Sequence, residues 1–156
     1  MAYNVIDLID KAIVIDKRRI KMYENIANEN ADVSSIRVIS KVLIKQVKKT
    51  IEYYEAIKEE AKKLELDEID FYVYDKIAFI INEFSKKLDI PEIHNVNEFL
   101  LSSLNLNKDL KALFIDVQGR FVKNEKDVKS ETYRILSLTI KNKEKQIKAL
   151  EELIKH

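Results

Sequence analysis

Asp16 carries the clearest chemical signal in this sequence. It sits inside Ala12-Ile13-Val14-Ile15-Asp16-Lys17-Arg18-Arg19-Ile20-Lys21-Met22-Tyr23, a mostly apolar stretch of helical spacing, and fills the slot between Ile13 and Ile20 on the apolar stripe. A weaker copy, Ala112-Leu113-Phe114-Ile115-Asp116, follows one hundred positions later. Carboxylates projecting inward from rigid helices are one half of a divalent-metal centre; the other half is further carboxylates and neutral imidazoles. The rest of the set is missing. The two histidines are His94, near an expected loop, and His156, the last residue, and neither has a partner at ligand spacing. The chain has no Cys, so no thiolate ligand or thiol nucleophile. Its single Gly, Gly119, excludes a Gly-rich phosphate loop, and no Ser-His-Asp arrangement can be assembled.

The positioning elements are helices. One Gly, one Pro and an abundance of Ile, Leu, Lys and Glu in 156 residues argue for an all-α single domain over residues 1–156, because a sheet protein needs many more turn residues. A first helix is expected over 4–27, capped by Asn4 with Asp7 three residues on, and a second over 33–64, capped by Asp32. The polar break at Asn28, Asn30 and Asp32 folds them into an antiparallel hairpin over 4–64. A third helix, from the Asp67–Asp70 cluster to Leu88, is apolar on much of its circumference and is expected to be buried on more than one side. Ile90-Pro91 closes it, and Asn95 caps a short helix through Leu104, so that 67–105 is a helical crossover. Helices over 107–123 and 129–154 form a second hairpin within 107–155, with Lys143 in the slot between Ile140 and Ile147. Gly119 marks either close packing or a kink. At an offset of 96, Val42-Leu43-Ile44-Lys45-Gln46 lies over Leu138-Thr139-Ile140-Lys141-Asn142, so the hairpins read as a candidate duplication.

On these residues the chain resembles the rubrerythrin-like branch of the ferritin-like superfamily. The first helix of that branch reads roughly A-L-x-x-E-K-x-A-I-x-F-Y, and the acid, the following Lys and the Tyr seven residues later stand in register as Asp16, Lys17 and Tyr23. The resemblance covers about 60 residues at the start and, loosely, the last 50. It implies a ferritin-like four-helix bundle of two antiparallel hairpins with an extra helical crossover. It also implies a di-metal site built from one Glu on each of two helices and a Glu-x-x-His on each of the other two. Carried over residue by residue, the single acids fall on Asp16 and Asp116, the first Glu-x-x-His on Val47 and Thr50, and the second on Lys143 and Gln146. The apolar skeleton matches and the ligands do not.

Two readings of Asp16 follow. In one, Asp16, Asp116, Lys143, Gln146 and Thr50 form a polar core cluster where the metals would sit. In the other, Asp16 lies at the edge of the stripe and reaches Arg19 or another surface cation. The expected function is a non-catalytic ferritin-like bundle serving as a binding or scaffolding module, with no cofactor. The alternative is a degenerate iron or manganese protein retaining a weak carboxylate site on Asp16, Asp116 and Glu24; a small-molecule or lipid-binding bundle is a third class. A protein partner or a second copy, as a homodimer through the apolar middle helix, is expected. A net charge of +1 gives no case for nucleic acid. The longest apolar run, Ile77-Ala78-Phe79-Ile80-Ile81, is too short for a membrane span, and the first residues show no leader pattern, so a cytoplasmic location is expected. The lysines of 45–49 and 141–145 read as solvated faces, and Tyr53, Tyr54, Tyr72 and Tyr74 as core or boundary residues.

Overall fold

Side-chain caps set most helix starts in the computed structural model, which describes residues 3–90 and 92–155; Pro91 and His156 lie outside the described residues. Asn4 accepts from the Ile6 amide at 2.8 Å while Asp7 accepts from the Asn4 amide at 2.9 Å, a complete capping box for α1 (Val5–Glu29). Helix α1 ends where the Asn30 side chain donates to the Ile26 carbonyl at 2.9 Å. Helix α2 (Ser34–Ala61) begins after Val33 with no side-chain cap, so Asp32 does not have the expected role. Asp70 caps α3 (Phe71–Lys86), accepting from the amides of Tyr72 and Val73 at 2.9 and 3.3 Å. Asn95 caps α4 (Val96–Arg120), accepting from Glu98 at 2.9 Å. A 3₁₀ turn over Glu125–Lys129 leads into α5 (Glu131–Lys155). Among the described residues there is no strand, only an isolated antiparallel bridge between Tyr3 and Ile69.

Two expectations fail here. The short helix through Leu104 and the helix from Asn107 are one continuous helix, α4. Leu104, Leu106 and Asn107 are all buried, and that packing overrides the poor helix propensity of the Asn-rich Asn105-Leu106-Asn107 segment. The middle helix α3 is not buried on several sides. Ile77 and Ile81 face the core, while Phe71, Tyr72 and Phe79 are 61 %, 82 % and 59 % exposed. It lies along the outside of the bundle, where Arg18 donates to the Ser85 carbonyl at 2.5 Å.

Cross-helix contacts fix the chain directions. In the α1–α2 pair, Asp10 meets Lys58 at 2.5 Å near one end, and Ser40 donates to the Tyr23 carbonyl at 2.8 Å toward the other, so the helices are antiparallel. In the α4–α5 pair, Gln118 donates to the Tyr133 carbonyl at 3.0 Å and Lys111 meets Glu144 at 3.5 Å, again antiparallel. Between pairs, Arg19 bonds Asn107 and Tyr23 packs edge-on against Phe99 with centroids 5.6 Å apart, so α1 and α4 run in opposite directions. Helices α2 and α4 therefore run parallel, and the segment 62–95, with α3, carries the chain back along the bundle. No helix among the described residues is long and apolar enough to cross a membrane.

The apolar interior is split in two. One cluster joins Val5 to Ile15 of α1 with Tyr54 to Ala61, Ile77, Ile81, Leu106 to Val117 and Ile135 to Ile140. The other joins Tyr23 and Ile26 with Ile36, Leu43, Val47, Phe99, Leu104 and Leu150. Between them, each long helix turns a polar side chain inward: Asp16 and Arg19 from α1, Thr50 from α2, Asn107 from α4 and Lys143 from α5.

Candidate functional site: a buried ionic layer

Asp16 and Arg19 are one turn apart on α1, so both can face inward at the level where the two apolar clusters meet. They are 1 % and 2 % exposed, and Arg19 Nη1 donates to Asp16 Oδ1 at 3.0 Å. Arg19 Nη2 reaches Asn107 Oδ1 at 3.3 Å and the Tyr23 hydroxyl at 3.5 Å. Asn107 in turn donates to the Ser103 carbonyl at 2.9 Å. From the opposite hairpin Lys143, wholly buried, places Nζ 4.0 Å from Asp16 Oδ1 and donates to Gln146 Oε1 at 3.3 Å. Gln146 Nε2 donates to Thr50 Oγ1 in a short contact, and Thr50 donates to the Gln46 carbonyl at 3.1 Å. Lys143 Nζ also stands 5.8 Å from the centre of the Tyr54 ring. Asp16 Oδ2, Arg19 Nε and the Tyr54 hydroxyl are buried and have no hydrogen-bond partner among the protein groups.

One buried carboxylate thus faces two buried cations, and fully ionised the layer carries one excess positive charge. Burial opposes the Arg19 charge, but the neighbouring Tyr23 and Asp16 more than offset that, and the guanidinium holds its proton more tightly than usual. Lys143 yields instead. Burial pushes its ammonium down to about 8, against the pull of Asp16 and with the push of Arg19. The Tyr54 hydroxyl is pushed well above its ordinary value, by burial first and then by the Asp16 charge.

Asp16, Lys143, Gln146 and Thr50 come together, and Asp116 does not. Asp116 is exposed and pairs with Arg120 at 3.3 Å. The copied segment is shifted by about one position relative to the core: Val14 is the outward residue between Ile13 and Ile15, whereas both Ile115 and Asp116 face out beyond Leu113 and Phe114. The residue of α4 that faces the layer is Asn107, nine positions earlier, and the sequence reading missed it because a helix break was expected there. The sequence places Arg19 only as a surface partner of Asp16. It is that partner, but both are interior. Glu24 is exposed, and His94 lies in the loop before α4, 3.3 Å from Glu98. Tyr54 is a core residue and Tyr53 lies beside it at the boundary, as Tyr74 does, stacked on Tyr3 at 3.9 Å, but Tyr72 is solvent-exposed. A Cβ built on Gly119 meets nothing within 4 Å, so close packing is not the reason for that glycine.

The donor set does not fit a di-metal centre. Two divalent cations need several anionic oxygens, and this layer offers one carboxylate already engaged by a guanidinium, with an amine beside it. Among the described residues no three His, Cys, Asp or Glu side chains converge as ligands. Comparison with family models, with curated proteins and with solved structures gives no significant match to the chain.

Proposed function

We propose that this chain is a ferritin-like helical bundle without a metal centre that works as a binding or scaffolding module. The observation that carries this reading is Lys143 Nζ, 4.0 Å from Asp16 Oδ1 and fully buried, at the point where the family pattern would put a ligand. Two internal cations, Arg19 at 3.0 Å and Lys143 at 4.0 Å, already face the single carboxylate there, so it has no negative charge left for a metal to neutralise. The chain directions support the same reading: two antiparallel hairpins whose second and third long helices run parallel require a crossover along the bundle, the connection used by ferritin-like folds. In this reading the exposed Phe71 and Phe79 of α3 form the contact for a second copy, since an apolar patch is its own complement across a twofold axis.

Anaerobic calorimetric titration with iron(II) and with manganese(II) tests the central point. No stoichiometric binding is expected, and one or more tightly held ions per chain would overturn it. Sedimentation equilibrium tests the contact: a dimer is expected for the wild type and a monomer for Phe79→Ser, and a wild-type monomer at micromolar concentration would remove it.

A further inference from the structure

Above the Thr50–Gln146 pair, on the outer side of the ionic layer, α2 and α5 leave a cleft of about 410 Å³ between them. Its lining includes Lys49, Lys141 and Lys145 and contains no acidic residue. All three lysines are exposed, and none takes part in an ion pair among the described residues. In the same wall Asn142 keeps its Oδ1 buried without a hydrogen-bond partner. At Tyr53 and Leu138 the cleft continues into a second recess of about 310 Å³, whose walls are apolar at Ala56, Ile57, Ala61 and Ile135 and also include Glu60 and Arg134. From Lys49 to Ala61 the groove follows α2 for about 18 Å at 1.5 Å per residue. Both volumes lie in the range of small-molecule sites.

A cationic head end and an apolar tail end in one groove match a ligand of the same polarity. We propose that the α2–α5 groove binds a single-chain anionic amphiphile, its carboxylate among Lys49, Lys141 and Lys145 and its alkyl chain along Tyr53 and Leu138 into the recess at Ala56, Ile57 and Ile135. Charge complementarity selects the head, because three unpaired ammonium groups with no carboxylate among them favour an anion. Removal of apolar surface from water holds the tail. The amphiphile rests on the reading of the chain as a binding module and supplies its ligand class.

Calorimetry with dodecanoate below its micelle concentration tests the proposal, with dodecanol and inorganic phosphate as the separated tail and head. Dodecanoate is expected to bind one per chain and both controls at least about tenfold more weakly. The triple variant Lys49→Gln/Lys141→Gln/Lys145→Gln, exposed at every position, should weaken dodecanoate at least about tenfold. Ala56→Glu, which puts a charge where the tail lies, should weaken it similarly with the circular dichroism unchanged. Undiminished binding in both variants, equal binding of dodecanol or phosphate, or no saturable binding of dodecanoate would overturn the proposal. The metal titration is a separate measurement, so failure of the ligand class and failure of the metal-free module are told apart.

Discussion

Lys143 Nζ and Asp16 Oδ1 lie 4.0 Å apart, one from each hairpin, inside a bundle that buries both side chains. The contact ties α1 to α5 at the level where the two apolar clusters part. It is a contact among three charges, because Arg19 holds the same carboxylate oxygen at 3.0 Å.

The excess cation gives stability an unusual pH dependence. Lys143 has its ammonium pushed down to about 8 in the folded chain, from 10.5. Between those values the unfolded state binds the proton and the native state does not, so stability rises with pH through that window. Tyr54 acts the other way, since its raised hydroxyl costs stability only above about pH 10, where unfolded tyrosines ionise. Urea denaturation from pH 7 to 10 should show a gain of about 2 kcal/mol by pH 10 in the wild type relative to Lys143→Met. Parallel curves for the two proteins would show that Lys143 stays charged.

The two acids singled out by the sequence should behave very differently on substitution. Asp116→Asn removes an exposed pair with Arg120 and should change stability by no more than about 0.5 kcal/mol. Asp16→Asn leaves Arg19 buried without its carboxylate and should cost about 3 kcal/mol or more. Equal losses from the two changes, measured by urea denaturation, would mean that Asp116 is interior after all.

Local rules foresaw the all-helical architecture, the capping of α1 by Asn4 and the inward slot of Lys143. Periodicity reports the face of a helix when its register is continuous. It failed where two registers competed, as at Asp116, whose segment copies the residue types of Ala12–Asp16 but not their phase against the core. Propensity failed at Asn105-Leu106-Asn107, because burial of Leu106 and Asn107 holds α4 helical across two asparagines that disfavour it. Composition misled at α3, since a helix that is apolar all round can also lie on an exterior face. Arg19 was legible only as a neighbour of Asp16; nothing local says that an arginine will be interior.

Gly119 has no structural duty that alanine could not meet. It is exposed near the end of α4, its φ is not positive, and a Cβ there has open space. Gly119→Ala should therefore stabilise the protein by about 0.5–1 kcal/mol, through the lower entropy of the unfolded chain. Thermal melting checks it, and a lowered midpoint would point to a partner surface that needs the glycine.

The ionic layer itself should cost more stability than it contributes. Burying three charged groups incurs a desolvation penalty that their mutual attraction recovers only with full hydrogen bonding, and here Asp16 Oδ2 and Arg19 Nε have no partner among the protein groups. Removing the carboxylate alone exposes two cations to each other, but removing all three charges leaves an uncharged layer between the two apolar clusters, in which Asn107 and Thr50 are the remaining inward polar side chains. The triple variant Asp16→Leu/Arg19→Met/Lys143→Met should thus be at least as stable as the wild type and about 3 kcal/mol or more above Asp16→Leu alone. Denaturation of the wild type and these two variants, each with an unchanged helical spectrum, decides it. A triple variant weaker than Asp16→Leu would show that the charges hold the two hairpins in register.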